Sequence, residues 1–321
     1  MTSYAQIIQA QQRLDGVAVR TPLLESKAIN ERLQGRILFK AEPLQHTGSF
    51  KFRGAYNKIS QLAQQGVTGV VAYSSGNHAQ GVALAASLFD MRAVIVMPAD
   101  SPSIKINNTK ALGGEVVTYD RHNESREKIG AALAKAHQLA LVKPYDDEDI
   151  IVGQGTLGLE IVQQLQILGL VPDTLIAPCG GGGLISGTSV ALHQSFPQTK
   201  ILLAEPEHYD DASRSLRESV RLANTATTPS ICDAIVTPMV GELTYPIMLE
   251  HVAAGFAVTE EAVLKAMAMC MQELKIIVEP GGCVGLAALL SGFAPTKDKI
   301  TIVVLSGGNA DPQILARALS V

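Results

Sequence analysis

Lys51 sits in the run Thr47-Gly-Ser-Phe-Lys-Phe-Arg-Gly54, where an apolar-periodic stretch begins and continues through Ile59 and Leu62. Ser49 is placed to cap that stretch as a helix, which puts Lys51 in the first turn. The helix dipole disfavours positive charge there. The neutral amine it favours is the nucleophilic form of lysine. The alternative is an exposed lysine on an amphipathic helix. Three further segments sit between strand-like and helix-like runs or just after a strand. In Ser74-Ser-Gly-Asn-His78, the N–H groups of a following helix could hold a carboxylate or phosphate, and Asn77 is a good cap in either case. In Cys179-Gly-Gly-Gly-Gly-Leu184, successive glycines let the backbone approach an anion closely, with N–H groups converging on it. That run is neither a P-loop nor a GxGxxG fingerprint. Leu305-Ser-Gly-Gly-Asn309 places Ser306 at a strand end, aimed at a ligand or simply closing a turn.

These loops need a scaffold, and the chain supplies one. Apolar runs at 69–73, 92–97, 114–119, 174–178, 200–204 and 299–305 read as strands. Helical spacing follows over 79–89, 103–112, 126–139, 159–168, from the glycine run to His193, and over 259–274 and 280–293. Thr259-Glu-Glu opens one of these helices. Residues 139–149 read as a polar connection between two α/β units. Such alternation predicts an α/β fold built on parallel strands with helices on the faces. Ligands of open α/β sheets bind beyond the carboxyl ends of the strands, where three of the segments lie; the Lys51 run opens a helix.

The formal net charge is −4, from 26 basic and 30 acidic side chains, so no basic field draws in nucleic acid. The N-terminus has no basic start followed by an apolar stretch, so no signal peptide is expected. The two long uncharged stretches, 174–199 and 280–296, are broken by Gly and Pro, so no membrane span is expected. Cys179, Cys232, Cys270 and Cys283 are spaced 53, 38 and 13 apart, which matches neither CxxC pairs nor zinc sites. They read as free buried thiols, and the cytoplasm is the expected location.

Taken together, and in their order, the four segments resemble the fold-type II pyridoxal 5′-phosphate enzymes, nearest to the serine/threonine dehydratase and serine racemase group. The resemblance covers nearly the whole chain and is most specific over Glu42-Pro-Leu-Gln-His-Thr-Gly-Ser-Phe-Lys-Phe-Arg-Gly-Ala55. Lys51-Phe-Arg53 agrees with the dehydratases, whereas threonine and cysteine synthases usually read Lys-Asp-Arg. The resemblance implies two open, twisted, mostly parallel sheets flanked by helices. It also implies a large cofactor domain from residues 1–61 and 143–321, and a small domain from 62–142. Lys51 would hold the cofactor as a Schiff base and act as general base. Phe50 would lie beside the ring, Asn77 on its 3′-oxygen, and Gly180, Gly181, Gly182, Gly183 and Leu184 on the phosphate. Ser306 would meet the ring nitrogen and Glu279 would lie close to the ring. Ser74, Ser75 and His78 would line the substrate carboxylate site.

The activity so implied is β-elimination from a small β-hydroxy amino acid, L-threonine or L-serine, to a 2-oxo acid and ammonia. The alternatives are a serine racemase or a threo-3-hydroxyaspartate ammonia-lyase. Ser75 matches the racemase-like members, in which a serine on the opposite face can return a proton. A racemase side activity is therefore expected. Arg126 is the candidate cation for a second substrate carboxylate. Arg121 reads rather as a surface side chain. Glu205, the backbone of Tyr209, and Asp211 match the Mg²⁺ or Ca²⁺ positions of racemase-like members, and a carboxylate–carbonyl mix suits a hard cation. Cys232-Asp-Ala234 departs from the family's Ala-Asp-Gly, which tightens the pocket. Glu25-Ser-Lys27 and His46 depart from the nucleotide-effector pattern, so no ATP activation is expected. Relatives are usually homodimers or homotetramers. With 12 residues after Asn309, a C-terminal effector domain is not expected.

Overall fold

The computed structural model describes residues 2–74, 76–101, 103–121, 123–226 and 228–321. Among these described residues, ten strands form two sheets. The strands are β1 (Leu23–Glu25), β2 (Arg36–Ala41), β3 (Gly69–Tyr73), β4 (Arg92–Pro98), β5 (Gly114–Tyr119), β6 (Ala140–Leu141), β7 (Thr174–Pro178), β8 (Lys200–Pro206), β9 (Val252–Val258) and β10 (Ile300–Leu305). The larger sheet has the order β1-β2-β10-β7-β8-β9 and the smaller β5-β4-β3-β6. Every pairing of these strands is parallel except β1 with β2.

The larger sheet is covered on both faces, so its central strands are apolar throughout and divide their side chains between two cores. Phe39, Ile176, Val303 and Leu305 enter one core. Leu38, Leu175, Ala177, Ile302 and Val304 enter the other. The smaller sheet packs Val70, Ala72 and Ile95 against the helix Lys51–Gln64 through Phe52, Ala55 and Ile59. Phe50 belongs to a core of the larger sheet and Phe52 to that of the smaller. The two neighbours of Lys51 are thus anchored in different cores, and Lys51 lies on the seam between the sheets.

Several sequence expectations change. The helix expected over 159–168 spans Glu148–Leu168. Its N-cap is Asp147, whose side chain accepts from Asp149 and Ile150 N–H groups; the stretch 139–149 therefore contains β6 and a cap. Thr259 does cap the helix Glu260–Met269. Ser49 caps nothing: the helix starts at Lys51 with Phe50 at the N-cap position, and the buried Ser49 hydroxyl has no partner among the described residues. Ser49 is extended backbone, bridged to Gly307, so its side chain is not aimed along the helix axis. Asn77 is the first residue of the helix Asn77–Ser87 rather than its cap, and its amide bonds elsewhere. No helix among the described residues is long and apolar enough to cross a membrane. The cysteines are all free and buried.

Candidate active site

Lys51 starts its helix and its Nζ donates to the carbonyl of Pro144 at 2.9 Å. Burial pushes its amine down to about 8, against the opposing pull of Glu279. The ammonium has lost water without gaining a directly bonded carboxylate, so the neutral nucleophile is readily formed near physiological pH. It faces a cavity of about 140 Å³ lined by residues from both sheets, Phe50, Asn77, Gly180, Glu279 and Ser306 among them.

The glycine run leaves β7 and turns into the helix Gly183–Ser195, whose N-cap, Gly182, offers no side chain to its first N–H groups. Those N–H groups have no side-chain cap among the described residues and can meet an anion. Gly182 has φ +89°, which glycine adopts without strain. A β-carbon on Gly180 would stand 2.9 Å from the carbonyl oxygen of Ile235, and one on Gly181 would enter the Tyr145 ring at 2.1 Å. The Gly181 carbonyl accepts from Thr244 Oγ1 at 2.8 Å and from the Gly241 N–H at 3.2 Å. That fixes the peptide plane of the run from behind. Leu184 completes this wall of the cavity.

Asn77 is buried, and its Nδ2 donates to Glu279 Oε1 at 2.6 Å. Burial pushes Glu279 up to about 7, with the Asn77 bond pulling it back down. His78 Nε2 lies 3.1 Å from the Val142 carbonyl oxygen, while Nδ1 is buried without a partner among the described residues. Burial, aided by repulsion from Lys51, lowers His78 to about 3, so its ring is neutral. Ser74, Ser306 and Arg126 all line the cavity. Ser75 lies outside the described residues. The Arg126 guanidinium sits 5.4 Å from the Tyr73 ring centroid and donates to Glu127 at 2.8 Å. Arg121 does not line this cavity; it pairs with Asp100 at the surface.

The two carboxylates that flank the loop after β8, Glu205 and Asp211, are buried, although Glu207 and His208 between them are exposed. Glu205 accepts from the N–H groups of Ala212 and Ser213 and from Ser213 Oγ. Asp211 accepts from Asn224 Nδ2 and the Val240 N–H. Burial and then Asp211 push Glu205 up to about 8, and burial raises Asp211 to about 6. Tyr209 is buried beside them. Among the described residues no group of three His, Cys, Asp or Glu could hold a metal ion; the two carboxylates would need backbone and water oxygens to complete a shell.

Tyr145, Thr244 and Pro144 escaped the sequence reading. Each acts through shape or a backbone contact, and none carries a spacing signal.

A nucleophilic lysine at the seam of two open α/β sheets, opposite a glycine-built anion cradle, defines a site for a phosphorylated carbonyl compound. The residues fit pyridoxal phosphate: the cradle holds where a β-carbon would fill it, and a buried amine and a buried amide face the space between. The chain belongs to the family of pyridoxal-phosphate dependent enzymes, whose profile matches residues 14–308. It is 40% identical over 320 residues to an L-threo-3-hydroxyaspartate ammonia-lyase of a Pseudomonas species, covering 99% of each chain. It is 35% identical over 321 residues to the serine racemase of Schizosaccharomyces pombe, covering 100% of this chain and 98% of the relative. The crystal structure of maize serine racemase superposes with a TM-score of 0.92 at 36% identity, covering 99% of this chain and 97% of that one.

Proposed function

We propose that the protein eliminates water from a small β-hydroxy amino acid, L-serine or L-threonine, releasing a 2-oxo acid and ammonia. The observation that carries this is the Lys51 amine, lowered to about 8 and held by one backbone carbonyl in the cavity. When bound, pyridoxal phosphate supplies the electron sink for the α-carbon. Lys51 would hold it covalently, and its Nζ, in the same cavity, is the base that would take the α-proton. Gly180 to Gly183 and the first N–H groups of the helix Gly183–Ser195 would hold its phosphate, Phe50 would lie beside its ring and Asn77 would donate to its 3′-oxygen.

Ser306, in the cavity wall, would offer the ring nitrogen a neutral hydroxyl, which would not favour the ring cation as a carboxylate would. Net loss of water and then hydrolysis of the product give the 2-oxo acid and ammonia. Ser74, Ser75 and His78 line the α-carboxylate site; the neutral His78 ring spends its one N–H on the Val142 carbonyl and contributes shape there. Residues 62–142 act as a small lobe closing on the large one, formed by 1–61 and 143–321, to exclude water. Glu205, the Tyr209 carbonyl and Asp211 hold Mg²⁺ or Ca²⁺. The raised, mutually repelling carboxylates support that reading, since a cation would relieve both. The four free buried thiols suit a reducing cytoplasm.

One observation favours a second substrate. Arg126 stands in the cavity wall, where a guanidinium could pair a second carboxylate bidentately; threo-3-hydroxyaspartate has one. The deciding experiment measures oxo-acid release from L-serine, L-threonine and L-threo-3-hydroxyaspartate, with product chirality followed in parallel. Turnover of none of them would overturn the lyase reading. Arg126→Met separates the substrates: it lowers kcat/KM for hydroxyaspartate about tenfold or more while serine changes little. Ser75→Ala that left any racemisation intact would remove Ser75 from that role.

A further inference from the structure

Asn309 lies at the end of the loop that follows β10, and its Nδ2 donates twice, to the Thr47 carbonyl at 2.8 Å and to Asn77 Oδ1 at 2.8 Å. Asn77 Nδ2 then donates to Glu279 Oε1 at 2.6 Å. This chain of bonds has a direction, and a backbone group sets it. The Thr47 carbonyl can only accept, so the amino end of Asn309 must face it. That same amino end faces Asn77, which must therefore present its oxygen to Asn309 and its own amino group to Glu279. Reversing the Asn77 amide would set two amino groups against each other at the Asn309 end and give up the donation to Glu279.

The packing leaves this chain little room to rearrange. Thr47 is in the left-handed region, φ +57°, an uncommon state for a β-branched residue. Gly48 has φ +71°, and a β-carbon on it would stand 2.9 Å from Asn309 Oδ1. A β-carbon on Gly307 would stand 2.1 Å from Glu279 Oε1 and 3.1 Å from Asn77 Nδ2. The loop before Lys51, the strand-end loop carrying Ser306 and the helix carrying Asn77 therefore meet at Asn309. Asn77 Nδ2 has a second hydrogen that Glu279 does not use, on a residue lining the cavity.

We infer that Asn309 is a positioning residue: it sets the orientation of the Asn77 amide, so that Asn77 can donate to the 3′-oxygen of the cofactor. The inference rests on the cofactor reading above, because the group that Asn77 serves is pyridoxal phosphate.

The test is a double-mutant cycle on cofactor affinity. Apoproteins of the parent, Asn309→Ala, Asn309→Asp, Asn77→Ala and Asn77→Ala/Asn309→Ala are titrated with pyridoxal phosphate by equilibrium dialysis. Asn309→Ala raises Kd about tenfold, the loss of one directed hydrogen bond. In the Asn77→Ala background the same change moves Kd less than about twofold, because the amide it orients is gone. Asn309→Asp, near-isosteric but unable to donate, behaves like Asn309→Ala, and its visible cofactor band shifts in the same direction as that of Asn77→Ala. Should Asn309→Ala fail to fold, Asn309→Asp carries the cycle. Equal Kd changes in both backgrounds would overturn the inference and assign Asn309 to holding the 47–50 loop. An unshifted band in Asn309→Asp would overturn it too. A parent apoprotein that binds no pyridoxal phosphate would instead overturn the cofactor reading, and the inference with it.

Discussion

Arg53→Met tests the structure at its most heavily charged buried point. Arg53 is fully buried two residues beyond Lys51, on the same helix. Its Nε and Nη2 grip Glu42 at 2.8 Å each, and its Nη1 and Nη2 grip Glu160 at 2.6 and 2.9 Å. Lys40, also fully buried, donates to Glu160 at 2.6 Å. Two cations thus face two carboxylates, and the cluster is neutral. Removing Arg53 leaves Lys40 with Glu160, while Glu42 keeps the Thr21 hydroxyl at 2.5 Å and no cation. Leaving one buried charge unpaired costs about 3–5 kcal/mol. At about 2 cal/mol/K of unfolding entropy per residue, a chain of 321 residues loses roughly 0.7 kcal/mol per degree near the melting point. The expected fall in Tm is therefore about 4–7 °C, read by calorimetry on the apoprotein. Arg53→Met/Glu42→Gln removes the stranded charge and recovers part of that fall. A single variant melting within about 1 °C of the parent would refute the reasoning. So would a double variant melting lower by the sum of its parts.

Three further outcomes are expected. Thr244→Val removes the donor to the Gly181 carbonyl and weakens pyridoxal phosphate binding about three- to tenfold; an unchanged dissociation constant would show that the glycine run holds itself. Glu279 is raised from 4.5 to about 7 in the fold, so between those pH values the folded apoprotein keeps a proton that the unfolded chain has lost. Its contribution to stability is present below about 4.5 and declines as pH rises towards 7. Glu279→Gln should flatten the Tm–pH curve of the apoprotein over that window, and parallel curves would contradict the assignment. Millimolar Mg²⁺ or Ca²⁺ should raise the Tm of the chelated parent but not that of Asp211→Asn, whereas equal responses would place the cation elsewhere.

The strands over 114–119 and 174–178 were legible because each is a short apolar run between clear boundaries, and both match residue for residue. The long helix Glu148–Leu168 was legible only in its second half. Gly153, Gly155 and Gly158 lower the helix propensity of its first half, but in the fold they are contact points. A β-carbon on Gly153 would stand 2.6 Å from Gly54 Cα, and one on Gly158 would stand 2.8 Å from the Thr188 carbonyl oxygen. The neighbouring helices demand glycine there, and the propensity loss is outweighed by close packing. β9, Val-Ala-Ala-Gly-Phe-Ala-Val258, has too little β-branched character to be read as a strand; its place beside β8 makes it one.

Chemistry that is local in the chain could be read from the chain. Lys51 at a helix start and four consecutive glycines after a strand keep their meaning in any fold that forms those elements, because a few adjacent residues set the dipole, the turn and the free N–H groups. Interactions between distant residues could not be read in the same way. Asn77 meets Glu279 across 202 residues and Asn309 across 232. Arg53 meets Glu160 across 107. Ser49 and Asn77 were both good caps by type, yet neither caps, because a β-bridge to Gly307 turns one away and Glu279 and Asn309 claim the other. The sequence determined which groups can do the chemistry; only the packing of one sheet against the other decided which of them face each other, how their amides point and where their protons are held.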